Sequence, residues 1–156
     1  MIAFKLPAVS FGAVSAIVTS VGLIFGFGAA GLSKATIIEG LLIVGLADNL
    51  TDSLSIHVYQ ESERLEGRAA FKATLGNFAT RLLVSLSFVL VFQFSGASRV
   101  VVSLAWGILL LIGLTWLVAR NRHAGVLAEI LKHLAVAAVV IMVTQAIGTY
   151  VSIYVQ

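Results

Sequence analysis

The chain has 156 residues, of which 60% are apolar and only 11% charged, and its mean hydropathy is +1.07. Soluble domains average about 45–50% apolar and ~25% charged residues, so this composition points to an integral membrane protein and away from a water-soluble helical bundle. The absence of cysteine excludes disulfides, thiolate metal sites and thiol redox chemistry. The net charge of +3 is scattered between apolar runs instead of clustered as on a nucleic-acid surface.

The apolar pattern predicts an all-α membrane protein of five transmembrane helices, at about 7–30, 35–63, 70–94, 99–119 and 124–154. Together they make a single membrane domain over residues 1–156, with no separate soluble domain. The first helix starts near Pro7, where a first turn tolerates proline, and is read as retained and not as a cleaved leader. Within it, Gly22 and Gly26 form a G-x-x-x-G that lets another helix approach closely. A short turn follows, with Ser33 placed to cap the second helix.

The second helix begins as hydrocarbon and turns polar without a break. Asp48, Asp52, Ser55, Tyr59 and Glu63 follow helical spacing and share one face, flanked by Asn49 and Gln60. A carboxylate at a helix centre costs about 2.5–3.5 kcal/mol on translocon scales, so two of them in one span call for a use. The charged run Glu61–Lys72 closes this helix, turns at Gly67 and opens the third. There, Asn77, Arg81 and Ser85 are spaced by four, and Arg81 should lie at a depth similar to Asp52. An Asp52–Arg81 ion pair is the structural explanation of both residues; it leaves Asp48 unexplained. The fourth helix is nearly pure hydrocarbon and is expected to be the most lipid-exposed. The fifth opens with Glu129, Lys132 and His133, where an intrahelical hydrogen bond is favoured over a metal pair, and ends with Tyr150 and Tyr154 at an interface.

Five spans put the chain ends on opposite sides. Lys5, Arg64, Arg68, Lys72, Arg120 and Arg122 then share one side, against Lys34 and Arg99 on the other, and the positive-inside rule makes the N-terminus cytoplasmic. On this topology Asp48, Asp52, Glu61 and Glu63 form a ladder of oxygen ligands running from the cytoplasm into the membrane. Asn49, Ser55 and His57 support it. Oxygen ligands suit divalent cations such as Mn²⁺, Fe²⁺, Mg²⁺ or Ca²⁺, and His57 would bias the site toward Fe, Mn, Zn or Ni. A carboxylate that trades its proton for a cation also gives a route to proton exchange. No nucleophile–base motif, H-E-x-x-H or phosphate-binding glycine loop is present, so no enzyme activity is expected.

The segment GAAGLSKATIIEGLLIVGLADNLTDSLSIHVYQESE resembles the vacuolar iron transporter family, which includes manganese transporters. The likeness rests on Gly45-Leu46-Ala47, Asp52, Ser55 and Ser62-Glu63, and spans about Gly22 to Glu63. It implies five membrane helices, a homodimer, and exchange of Fe²⁺ or Mn²⁺ for protons, with the metal as cargo and no tightly bound cofactor. The sequence departs from the family pattern at Phe11-Gly12, where an aspartate is usual, at Ile56, where a metal-contacting methionine stands, and at His57, where a glycine follows it. The family's glutamate-rich cytoplasmic insertion is reduced to Glu61, Glu63 and Glu66. The expected setting is a prokaryotic inner membrane, with lipid, protons, the divalent metal and a second copy as partners and no nucleic acid. Two other readings stand beside this one: a non-transporting membrane module whose polar face is a helix-packing or dimer interface, and a transporter of another solute.

Overall fold

The computed structural model describes residues 6–62, 67–122 and 125–155. It contains five long helices: α1 (Leu6–Ala29), α2 (Lys34–Ser62), α3 (Gly67–Phe94), α4 (Arg99–Asn121) and α5 (Val126–Tyr154), with a single 3₁₀ turn (Gly96–Ser98) between α3 and α4. Among the described residues there is no strand. Among the same residues, four helical segments are long and apolar enough to cross a membrane: Ser10–Ala29, Ala70–Phe94, Gly96–Asn121 and Val126–Tyr154. At 1.5 Å per residue the five helices are about 35–45 Å long, more than the ~30 Å of bilayer hydrocarbon.

The connections follow from local chemistry. α1 ends in a Schellman motif: Leu32 N donates to Phe27 O and Gly31 N to Gly28 O, both at 3.1 Å. Gly31 sits at φ +73, a left-handed position that glycine takes without a Cβ penalty. Ser33 caps α2 as expected, its Oγ accepting from Thr36 N at 3.2 Å. Gly67 is the first residue of α3 and not a turn residue.

α1 is the central post, packed against all four other helices, which run α2–α3–α4–α5 around it. Its Ile17, Val21 and Ile24 meet Ile37 and Leu41 of α2, Phe88 and Phe92 of α3 and Leu111 of α4 in the buried core. Lipid tails are as apolar as leucine, so close fit and not water exclusion must hold such a bundle together. The sequence supplies that fit through small residues. The stripe of Gly22 and Gly26 is taken up within the chain by α5: a Cβ at Gly22 would lie 3.1 Å from Val140 Cγ1, one at Gly26 would lie 3.1 Å from Thr144 O, and one at Gly148 would collide with the Gly26 carbonyl oxygen.

The expectation that α4 is the most lipid-exposed helix is corrected. α4 turns a regular inward stripe to the bundle, Ser103, Gly107, Leu111, Thr115 and Ala119, one residue per four, whereas α5 buries only Gly148. Hydrophobicity alone did not separate these helices, because the small and hydroxyl residues of α4 carry the packing information.

Candidate functional site

The polar residues of α2 and α3 converge on the seam between these helices. Asp48 and Asp52 are one turn apart on α2, and both pair with Arg81 of α3: the Asp48 carboxylate with Nη2, the Asp52 carboxylate with Nη1. The planar guanidinium presents separate nitrogens to the two acceptors, a geometry that a lysine ammonium does not offer. The expected Asp52–Arg81 pair is thus present, and Asp48, left over in the sequence reading, shares the same arginine. Arg81 is 2% exposed, whereas the Asp48 and Asp52 side chains are 40% and 31% exposed. The cation is locked inside the bundle, and the carboxylates reach its outer surface. Two carboxylates against one guanidinium leave the trio with one negative charge.

A second polar layer lies behind the trio. Asn49 is fully buried and its Nδ2 donates to Phe78 O at 2.9 Å, tying α2 to α3. Asn49, expected as a supporting residue of the polar face, is buried and ties α2 to α3. Asn77 Nδ2 lies 3.4 Å from Ser53 Oγ, which lies 3.5 Å from Asn49 Oδ1. Asn77 Oδ1 has no hydrogen-bond partner among the described residues and faces Gly12 of α1, where a Cβ would collide with it. Gly12 lets α1 close over the polar row; Ser85, one turn beyond Arg81, packs on Gly45 of α2 in the same way.

Among the described residues, Ser55, His57 and Glu61 do not join the cluster. Ser55 is exposed and its hydroxyl donates to Thr51 O within α2. His57 pairs with Glu61 one turn on, Nε2 to Oε1 at 3.4 Å. Tyr59 is exposed, and Glu63 lies outside the described residues. His133 Nδ1 is 2.8 Å from the Glu129 backbone oxygen, the intrahelical bond favoured in the sequence. The ladder therefore divides in two: an ion-paired trio at Asp48, Asp52 and Arg81, and a separate His57–Glu61 pair nearer the end of α2. Among the described residues no three histidine, aspartate or glutamate side chains gather as a metal-binding group. A divalent cation at Asp48 and Asp52 would complete its shell with water, backbone or groups from another chain.

Sequence reasoning noted Gly12 only as a departure from the family pattern and gave no role to Ser53. Gly12 is one glycine among 14 in the chain; its signal, a small residue facing the i, i+4 polar row of α3, appears only once the register of α1 against α3 is known. No family model, curated protein or solved structure matches the chain.

Proposed function

We propose that this chain carries a divalent metal cation, Fe²⁺ or Mn²⁺, across a membrane in exchange for protons. The observation supporting this reading is the pair of partly exposed carboxylates, Asp48 and Asp52, balanced by one buried arginine on a neighbouring helix. Arg81 acts as an internal counter-cation. It holds the carboxylates in place when no metal is bound, and it gives up part of its hold when a metal arrives. Protonation of either carboxylate then weakens the metal's attachment and couples release to proton entry. The choice of Fe²⁺ or Mn²⁺ and the homodimeric state come from the resemblance around Gly45-Leu46-Ala47 and Asp52.

The same reading makes α2 the fifth span, with the N-terminus in the cytoplasm of a prokaryotic cell. The polar stripe of α2 lowers its mean hydropathy, but its outward face carries Leu42, Ile43, Leu46, Leu50, Leu54 and Val58, all exposed. That stripe is about 24 Å long and suits contact with lipid while the polar side is turned to α3.

One set of contacts favours the alternative, a membrane module that transports nothing. Arg81, Asn49 and Asn77 are almost wholly buried and join α2 to α3, as a packing interface would. The two readings separate in proteoliposomes that contain a metal-sensitive and a pH-sensitive dye. Transport predicts Fe²⁺ or Mn²⁺ uptake with counter-flow of protons, lost in Asp48→Ala and Asp52→Ala proteins that still assemble. Flux equal to the native chain in both variants refutes the transport role of these residues.

A further inference from the structure

A cavity of about 650 Å³ opens between the start of α1, the end of α4 and the start of α5, away from the Asp48–Arg81–Asp52 seam. Its volume is in the range of small-molecule and lipid sites, about 300–1,000 Å³. The walls are hydrocarbon, from Val14 on α1 and Leu114 and Val118 on α4. The polar groups come from Ser10 and Ser15 on α1, Thr115 on α4, Arg122 at its C-cap, and Glu129 and His133 on α5.

Thr115 sets this cavity apart from a packing defect. The hydroxyls of Thr51, Thr74, Thr80 and Thr144 each donate to the carbonyl four residues earlier in their own helix. Thr115 is 3% exposed, lines the cavity, and its Oγ1 has no hydrogen-bond partner among the described residues. A buried hydroxyl without a partner costs about 1–3 kcal/mol, so the site is one whose donor awaits an acceptor. The charges at the mouth point the same way. Glu129 is engaged by Lys132, Nζ to Oε1 at 2.8 Å, and feels the charge of Arg122, which makes no direct ion pair among the described residues. The surplus at the mouth is positive. Arg122, the C-cap residue just past the end of α4, follows Thr115 by seven residues, about 10 Å along the helix axis.

The cavity therefore offers a cation at its mouth, a hydroxyl donor about two turns deeper, and hydrocarbon alongside. This is the order of polarity along a glycerophospholipid: phosphate, ester carbonyl, acyl chain. We propose that the cavity binds an anionic phospholipid. Its phosphodiester sits on the Arg122 guanidinium beside His133, an ester carbonyl accepts from the Thr115 hydroxyl, and the first part of an acyl chain lies along Val14, Leu114 and Val118. Basic pockets between membrane helices recognise lipid headgroups through this combination of charge and hydrocarbon. The proposal does not rest on metal transport, since α2 contributes nothing to the cavity.

The test uses the full chain in detergent micelles, titrated with short-chain phosphatidylglycerol and followed by its thermal unfolding midpoint. Parallel titrations use inorganic phosphate and a short-chain diacylglycerol. The native chain should be stabilised by phosphatidylglycerol and by neither of the others. Arg122→Gln should weaken the apparent affinity roughly tenfold, the scale of one charge-assisted hydrogen bond, and Thr115→Val should weaken it by a smaller factor. Arg120→Gln removes the same charge two residues away, where the guanidinium stacks on Trp116 at 5.3 Å, and should bind as the native chain does. Without lipid, Thr115→Val should unfold at or above the native midpoint, because an isosteric methyl replaces an unpaired hydroxyl; this separates loss of binding from loss of fold. Equal lipid affinity in all variants, or an Arg120→Gln loss equal to that of Arg122→Gln, overturns the site. An equal response to inorganic phosphate overturns the assignment to lipid.

Discussion

Replacing Arg81 by methionine tests how the α2–α3 seam is held. The change keeps most of the side-chain volume and removes the one cation that pairs with Asp48 and Asp52 among the described residues. Removing one partner of a buried ion pair costs about 3–5 kcal/mol, because the other charge is left uncompensated. The lower end applies here, since both carboxylates reach the surface and can be re-solvated there, while Arg81 cannot. Asp52→Asn alone should cost only about 1.5–2 kcal/mol, the low end for one hydrogen bond to a charged group, because Arg81 keeps Asp48. Asp48→Asn should behave alike. The double variant strands a guanidinium that is 2% exposed and should exceed the sum of the single losses by about 1 kcal/mol or more. Adding Arg81→Met to the double variant should recover most of the loss, since a neutral, well-packed core replaces an unpaired charge. Unfolding in micelles, followed by tryptophan fluorescence, measures all of these. Trp106 is a suitable reporter because its Nε1 donates to Ser87 Oγ of α3 at 3.0 Å and senses separation of α3 from α4. The argument fails if Arg81→Met lies within about 0.5 kcal/mol of the native chain, or if the two aspartate changes add within the same margin.

Gly148→Val should push α5 off α1, because its side chain would meet the Gly26 carbonyl; a loss of about 3 kcal/mol is expected from overpacking, and a native unfolding midpoint would contradict the crossing. Gly12→Ala should destabilise the bundle, its methyl meeting Asn77 Oδ1, and Gly12→Ala combined with Asn77→Ala should recover part of the loss; no recovery refutes the contact. Because the chain has no cysteine, single cysteines can map topology without background. A membrane-impermeant maleimide on whole cells should label Ser33→Cys and miss Arg122→Cys. Leu50→Cys, on the outward face of α2, should stay unlabelled in cells and in inverted vesicles alike, and its labelling from either side refutes the fifth span.

Much of the architecture was legible in the order of the residues. Apolar runs broken by Gly31-Leu32-Ser33-Lys34 and Ser95-Gly96-Ala97-Ser98 fixed the number and approximate limits of the helices, because a bilayer demands about 20 apolar residues and internally satisfied backbone. The four-residue steps Asp48–Asp52 and Asn77–Arg81–Ser85 marked the faces that α2 and α3 turn toward each other, since side chains four apart in a helix share a face. The stripe of Gly22 and Gly26 announced a close helix crossing.

What required the tertiary structure was which faces meet, and at what register. Depth along a helix follows from counting residues, but rotation and sliding between helices depend on packing at every contact. The sequence could pair Asp52 with Arg81 by depth, yet only the crossing of α2 and α3 brings Asp48 to the other nitrogen of the same guanidinium. The partner of the glycine stripe, α5, and the inward turn of α4 were set in the same way, by small residues whose meaning lies in what they face. The sequence by itself determined a helical membrane protein with two carboxylates in one helix. The fold decided that those carboxylates answer to one buried arginine, because a charge in a low-dielectric bundle persists only where its partner is brought to it.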